Sequence, residues 1–394
     1  MTPAYLDHAS ATPMRPEAVA AMLPFLTERF GNPSGDHQVA RQARRALDEA
    51  RETVADCLGC RPGEIVFTGG GTESNNLGVL GAQRTRGGRV VCSAVEHAAV
   101  LEACRAAAGT TVAVDGEARV DLERLTAALD DTVAVVSVMA VNNETGTIEP
   151  LSAVAEVVRR RAPGAVLHTD AVAAVPWLDV AEAIAPADLV SLSGHKFGGP
   201  RGVGILVVRE PATVAPVLRG GPQERGRRPG THDLAGIVGT AAALTAALSG
   251  RAVEVARVGA LRDRLADGLV GAGTELVETV TRSAPHRDRS HTVAGTFHVL
   301  FPGVDQEELL LLADEAGVCA AAGAACASGA LEPSHVLLAL GLSAAEARTG
   351  LRFSLGHTTT AADVDTAVAV VSGAVKHLRD AGRRPATPQP PSTL

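Results

Sequence analysis

The stretch Asp188-Leu189-Val190-Ser191-Leu192-Ser193-Gly194-His195-Lys196 runs from an apolar, strand-like segment directly into a polar turn ending in a lysine. It belongs to a series. From about residue 64 to 208, short β-branched runs alternate with longer segments rich in Ala, Leu, Glu and Arg, the signature of βα units around a largely parallel sheet. The expected strands are Glu64 to Thr68, Val90 to Ser93, Thr111 to Val114, Val133 to Met139, Val166 to Thr169, Asp188 to Leu192 and Gly202 to Val208. Several run into polar residues: Thr72 after Gly69-Gly70-Gly71, Asn142-Asn143, Asp170, and Ser193 to Lys196. In open α/β sheets ligands sit outside the carboxyl ends of the strands, so these groups are expected to converge on one crevice.

At 394 residues the chain exceeds the size at which one hydrophobic core usually stops growing. Two domains are therefore expected. The large one, at 15–257, is an α/β domain whose mostly parallel seven-stranded sheet is flanked by helices. Helical sequence at Leu234 to Leu248, continuing through Arg251 to Leu269, leads to a smaller α+β domain built from 1–14 and 258–381. In that domain a strand is expected at Thr292 to Leu300 and helices at Asp305 to Ala316 and Ala361 to Leu378. The Pro-rich end, 382–394, buries no apolar face and reads as a mobile tail.

The net charge of -8 and the aromatic content of 2% supply neither a polyanion footprint nor a stacking platform, so direct nucleic-acid binding is not expected. Met1 to His8 has no basic segment followed by an apolar core, and no apolar run is long enough to span a bilayer. The expectation is a soluble cytoplasmic protein. Six cysteines without disulfide-framework spacing suit a reducing compartment. Cys57-Leu58-Gly59-Cys60 has no second Cys or His pair at zinc spacing, and His8, His37, His168 and His195 are scattered, so no metal site is expected.

A lysine at a strand exit, beside hydroxyl and imidazole groups, can be desolvated enough to act as a neutral amine. Such an amine forms a Schiff base with an aldehyde cofactor, which points from Lys196 to pyridoxal phosphate; a solvated surface lysine is the alternative reading. The other candidates are potential partners of that cofactor. Gly69-Gly70-Gly71-Thr72, between a strand and a helix, suits a phosphate at a helix N-terminus, or is a plain glycine turn. Asp170, at a strand end, would pair with a protonated ring nitrogen, or cap the next helix. His97 follows a strand and would lie flat on a ring, or be structural. Cys326 sits among small residues, Ala320 to Ala330, as a thiol on a mobile loop or an inert cysteine in a small-residue helix. Arg352, in an apolar run, suits a bidentate contact to a substrate carboxylate.

Taken in order, these motifs resemble the cysteine desulfurases of the class V aminotransferase group, fold type I pyridoxal-phosphate enzymes. The likeness runs over nearly the whole chain. It rests on Tyr5 to Pro13, Gly31-Asn32-Pro33-Ser34, Gly69 to Asn76, Glu96-His97, Val141 to Glu144 and His168 to Ala171. It continues through Ser193 to Lys196, Gly220 to Thr231, Cys326 with Leu331 to Ser334, and Leu351 to Gly356. The resemblance implies that Lys196 carries pyridoxal 5'-phosphate as a Schiff base, Asp170 pairs with its ring nitrogen and His97 stacks on the ring. It implies a phosphate site of Gly71, Thr72, Ser193 and His195, completed by Thr231 of a neighbouring subunit in a homodimer. It places Asn143 near the cofactor's phenolic oxygen and assigns Asn32 and Arg352 to the carboxylate of the substrate, L-cysteine. Cys326 matches the cysteine that becomes a persulfide, in surroundings like those of the long-loop subgroup that passes sulfur to protein acceptors for iron-sulfur assembly or thiolation.

Two positions depart from the pattern. Ala173 stands where the family usually has a glutamine that donates to the cofactor's phenolic oxygen, and His8 stands where asparagine is common. The competing functions are another class V reaction, such as selenocysteine lysis, C-S lysis or transamination, and a non-catalytic sulfur-transfer scaffold.

Overall fold

The computed structural model describes residues 3–280, 289–323 and 333–382. Its central sheet has seven strands in the spatial order Ile65–Thr68, Gly204–Val208, Leu189–Ser193, Val166–Asp170, Val133–Ser137, Arg89–Ser93 and Thr110–Val112. Gly204–Val208 is antiparallel to both of its neighbours, and the other adjoining pairs are parallel. All seven expected strands are present, with ends moved by one or two residues.

The strands are β-branched because both faces are covered by helices. Along Ile65–Thr68, Val66 packs with Leu77 and Val79 of the helix Gly71–Arg86 and with Val100 of the helix Ala98–Ala106. Ile65 and Phe67 point the other way, toward the helices Gln38–Leu58, Leu151–Arg161 and Leu234–Ser249. This is the period-two alternation of a strand between two apolar layers. Gln38–Leu58 buries Ala40, Ala43, Leu47, Ala50, Val54 and Leu58 at helical spacing. The His37 ring nitrogen caps its start, and Gly59 closes it at φ 61°, where a side chain would be strained.

A second core gathers Leu6, Leu265, Phe297, Phe301, Phe353, Val364 and Val371 around the antiparallel strands Gly350–Ser354, Thr296–Leu300 and Val277–Glu278. The chain start joins this core, where Ala4–Tyr5 pairs in parallel with Val318–Cys319. Helices Leu234–Ser249 and Arg251–Gly271 meet at 71° around Gly250, the first feeding the large core and the second the smaller one. The expected strand at Thr292 begins only at Thr296. The closing helix runs through Gly382, where the tail was expected to begin; residues 383–394 lie outside the described part. Among the described residues no single helix is long and apolar enough to cross a membrane.

The segment Gln223–His232 is tied to the edge of the large sheet by Glu224. This carboxylate accepts both terminal nitrogens of Arg51 at 2.6 and 2.9 Å, His232 Nε2 at 2.6 Å and the Phe67 amide at 3.0 Å. Burial alone would raise its pKa, but the hydrogen bonds from His232 and Arg51 outweigh burial and bring it down to about 2. A carboxyl held below its unfolded value of roughly 4.3 stabilises the fold above that pH and loses the contribution as pH falls toward 2. The expected contribution is about 3 kcal/mol. Glu224→Gln is therefore expected to lower unfolding free energy by about that amount at pH 7. Urea melts of both proteins from pH 7 to pH 3 should show the gap narrowing as pH falls; a constant gap contradicts the assignment.

Candidate active site

The parallel strands end on one edge of the sheet, and their exits open into a cavity of about 740 Å³. Gly71, Thr72, His97, Asn143, Asp170, Ser193, His195, Lys196 and Arg352 all line it. The convergence expected of the strand exits is therefore present for Thr72, Asn142, Asn143, Asp170, Ser193, His195 and Lys196, and Gly71, His97 and Arg352 join them in the lining.

At one end lies the start of the helix Gly71–Arg86, whose first amides have no intrahelical acceptor. Gly70 enters it at φ 143°, a conformation that favours glycine. A Cβ on Gly71 would sit 3.0 Å from Val172 Cγ2 and 3.3 Å from Ser193 Cβ, so the bare backbone keeps the turn against Ser193. Ser193 Oγ is 2.9 Å from His195 Nδ1. Burial, followed by the nearby Lys196 and Arg201 cations, lowers the pKa of His195 to about 4. Helix amides, a hydroxyl and a neutral imidazole form a donor set for an anion.

Asp170 lies in the cavity wall, 4% exposed. Its Oδ1 accepts the Val172 amide at 2.9 Å, and its Oδ2 accepts Asn75 Nδ2 at 2.7 Å. On the same strand His168 bridges Ser137 Oγ at 2.8 Å and Ser191 Oγ at 2.9 Å. Burial holds the His168 ring neutral, with a pKa of about 4 despite the pull of Asp170. His97 Nδ1 accepts the Ala99 amide at 3.1 Å and caps the helix Ala98–Ala106, so the neutral ring carries its proton on Nε2. Glu96, fully buried, accepts the Met139 amide at 2.6 Å, and burial followed by the Asp170 charge raises its pKa well above the usual carboxyl range.

Lys196 Nζ donates to the carbonyls of Ala9 and, at 2.8 Å, Ser10. That contact comes from the N-terminal segment, which is anchored in the smaller core by Ala4 and Leu6. Arg352, in the strand Gly350–Ser354, donates to Asp7 Oδ1 at 2.8 Å and to the Asn143 carbonyl at 3.0 Å. The arginine therefore joins the smaller sheet to the loop after Val133–Ser137.

Two candidates are not brought to this cavity within one chain. Asn32 Oδ1 accepts the Ser34 amide at 2.9 Å in a local turn, and Thr231 is exposed after Gly230, at φ 110°. Cys326 lies outside the described residues, but Gly323 and Pro333-Ser334, on either side of 324–332, line the cavity. Ala173 is also in the lining and offers no side-chain donor. His8 is buried 3.3 Å from Thr359 Oγ1, and burial, then His357 and Arg257, lowers its pKa to about 4. Sequence reading assigned no role to Asn75 or to the Ala9 and Ser10 carbonyls. Asn75 lies one helical turn after Gly71, on the face shared with the glycine turn, and that spacing was the available signal.

The residues fit pyridoxal phosphate on the chemistry of the donor set. An anion site at a helix start, a buried acceptor at Asp170, an imidazole edge and a primary amine occupy one enclosure. A folded-state pKa of about 4 keeps His8, His168 and His195 uncharged from pH 5.5 to 8. Their contribution to stability is full above the unfolded value of roughly 6.5 and fades as pH falls toward 4. Imidazole NMR titration should show these three histidines without an inflection over pH 5.5 to 8, as should the fully buried His298, whose pKa burial lowers to about 3. Loss of those flat curves in His8→Asn, His168→Asn and His195→Asn would assign them; inflections near 6.5 contradict the burial argument.

The chain belongs to the class-V aminotransferases, whose family model matches residues 4–367. Within it, the chain is 42% identical to an "IscS-like cysteine desulfurase" of Mycobacterium tuberculosis, over 96% of this chain and 98% of the relative. A solved structure of a "NifS-like protein" superposes with a TM-score of 0.87 at 30% identity, covering 95% of this chain and all of that one. A second, "SspA in complex with cysteine", gives a TM-score of 0.76 at 30% identity, over 89% of this chain and 98% of that one.

Proposed function

We propose that this chain is a pyridoxal-phosphate-dependent cysteine desulfurase that converts L-cysteine to L-alanine and delivers the sulfur, as a persulfide on Cys326, to an acceptor protein. One observation carries the reading to sulfur transfer: the residues flanking 324–332, Gly323 and Pro333-Ser334, line the same cavity as Lys196 and Asp170. Family membership supplies the cofactor class. The relatives bearing the desulfurase name span nearly the full chain.

When bound, pyridoxal phosphate supplies an electron-withdrawing ring that stabilises the charge left when the substrate's α-carbon loses its proton. Asp170, oriented by Asn75 and the Val172 amide, would hold the proton of the ring nitrogen. Gly71, Thr72, Ser193 and His195 would hold the phosphate, with Thr231 of the second protomer completing it. His97 would lie against the ring, and Asn143 would reach the phenolic oxygen, where Ala173 offers nothing. Lys196 Nζ would attach the cofactor and move the proton at the α-carbon. Arg352 and Asn32 would bind the substrate carboxylate. The Cys326 thiolate attacks the substrate sulfur, so that an S–S bond forms as the C–S bond breaks and the carbon takes up a proton as alanine. An exposed apolar row on the helix Pro16–Thr27, Val19, Leu23 and Leu26 with Phe30 beyond it, supports a homodimer.

Lys196→Ala is expected to abolish alanine formation together with the cofactor's protein-bound absorbance band. Cys326→Ala should keep that band but lose protein-bound persulfide; wild-type persulfide in this variant contradicts the proposed nucleophile. Asn75→Ala removes one donor to Asp170 and should weaken cofactor binding about tenfold, read by titrating the cofactor-free protein through its fluorescence. An unchanged dissociation constant would remove Asn75 from the cofactor site.

A further inference from the structure

Glu96 is fully buried, and the reaction above gives it no part. It stands in the turn between the strand Arg89–Ser93 and the helix Ala98–Ala106, directly before His97. Its Oε1 accepts the Met139 amide at 2.6 Å, in the loop after Val133–Ser137, and its Oε2 has no hydrogen-bond partner among the described residues. The titratable groups that act on it most strongly are Asp170, Glu149 and Cys104, none of them cationic. A carboxyl buried among such neighbours is kept as the neutral acid.

The Glu96 contact is one of a reciprocal pair. In the opposite direction, Asn142 of the Met139 loop donates its Nδ2 to the Val95 carbonyl at 3.0 Å, while its Oδ1 accepts the Glu144 and Thr145 amides at 2.9 Å each. The same turn is held at the Glu96 carbonyl, which accepts His335 Nε2 at 3.0 Å. The two segments leave adjacent parallel strands, in which Cys92 pairs with Ser137. One presents His97 to the cavity, its ring fixed by the Ala99 amide at 3.1 Å, and the other presents Asn143.

We infer that Glu96 is a positioning residue: its carboxyl, bonded to the Met139 amide, sets the turn that presents His97 against the loop that presents Asn143. The inference rests on the reading of His97 as the residue that lies against the cofactor ring. A ring contact of that kind depends on the spacing of two strand exits, and a shift of about 1 Å between groups acting on one ligand costs about tenfold or more. An apolar side chain in place of Glu96 leaves the Met139 N–H buried without an acceptor, and the loop must move to satisfy it. Glutamine keeps a carbonyl oxygen at the same reach and matches the neutral acid in charge. The two replacements therefore have opposite consequences.

The test compares Glu96→Leu and Glu96→Gln in the full chain, with Glu96→Met as a second acceptor-free variant should the branched side chain prevent folding. The cofactor's dissociation constant, from fluorescence titration of the cofactor-free protein with pyridoxal phosphate, is expected to rise about tenfold in Glu96→Leu and to stay within about twofold of wild type in Glu96→Gln. The visible circular dichroism of the cofactor at saturation should weaken in the acceptor-free variants alone, a signal that a merely structural residue would not move. In a His97→Ala background, Glu96→Leu should add less than about twofold to the dissociation constant, since its effect passes through His97. Wild-type binding and dichroism in both acceptor-free variants overturns the inference, as does an equal loss in Glu96→Gln or a full additional loss in the His97→Ala background. If His97→Ala itself binds the cofactor like wild type, the reading of His97 fails. If His97→Ala is weakened and the acceptor-free variants are not, the Glu96 inference alone falls.

Discussion

The site depends on the parallel hydrogen-bond ladder that sets Val166–Asp170 beside Leu189–Ser193, with Asp170 paired to Ser191. That register puts a carboxylate and a lysine-bearing turn at neighbouring strand exits, and the flanking ladders bring the glycine turn and Asn143 to the same edge. Parallel strands share a direction, so their carboxyl ends share an edge, and the residues beyond them meet without any one loop having to be long. A one-residue slip would turn Asp170 toward the opposite helix layer. The helices on both faces, packed through residues such as Val66, Leu77 and Leu47, hold the strands in register.

The second organising element is the return of the chain's start and end to this edge. The N-terminal strand joins the smaller core, and the turn after it reaches Lys196 through the carbonyls of Ala9 and Ser10. Arg352 comes from that same core and bonds to Asp7 and Asn143 at once. The cavity is consequently walled by both sheets. Of the two neutral imidazoles, His195 lines the cavity, and His168 is buried behind it between Ser137 and Ser191.

Much of this was legible beforehand. The alternation of Val and Ile runs with helical segments located all seven strands of the large sheet, because a strand covered on both faces must be apolar throughout. Lys196, Asp170, Gly71 and His97 were each readable as residues just past a strand, where neither packing nor the ladder explains them. Asn75 was hidden, since a polar residue inside a helix gives no sign of which buried group it meets. Glu144 was hidden for a related reason: Ser334, which donates to its buried carboxylate, is 190 positions away. The expected tail began one residue early because helix Ala361–Gly382 continues past its last apolar contacts.

By itself, then, the amino-acid order determined the layered α/β architecture, the strands and the chemical character of the strand exits, since those follow from local pattern and burial. Only the tertiary structure decided which exits share an edge, that Asn75 orients Asp170, and that the N-terminal carbonyls receive Lys196. It also showed Asn32 and Thr231 lying away from the cavity of their own chain. Contacts between distant positions depend on register and on how two cores pack, and neither leaves a periodic trace along the chain.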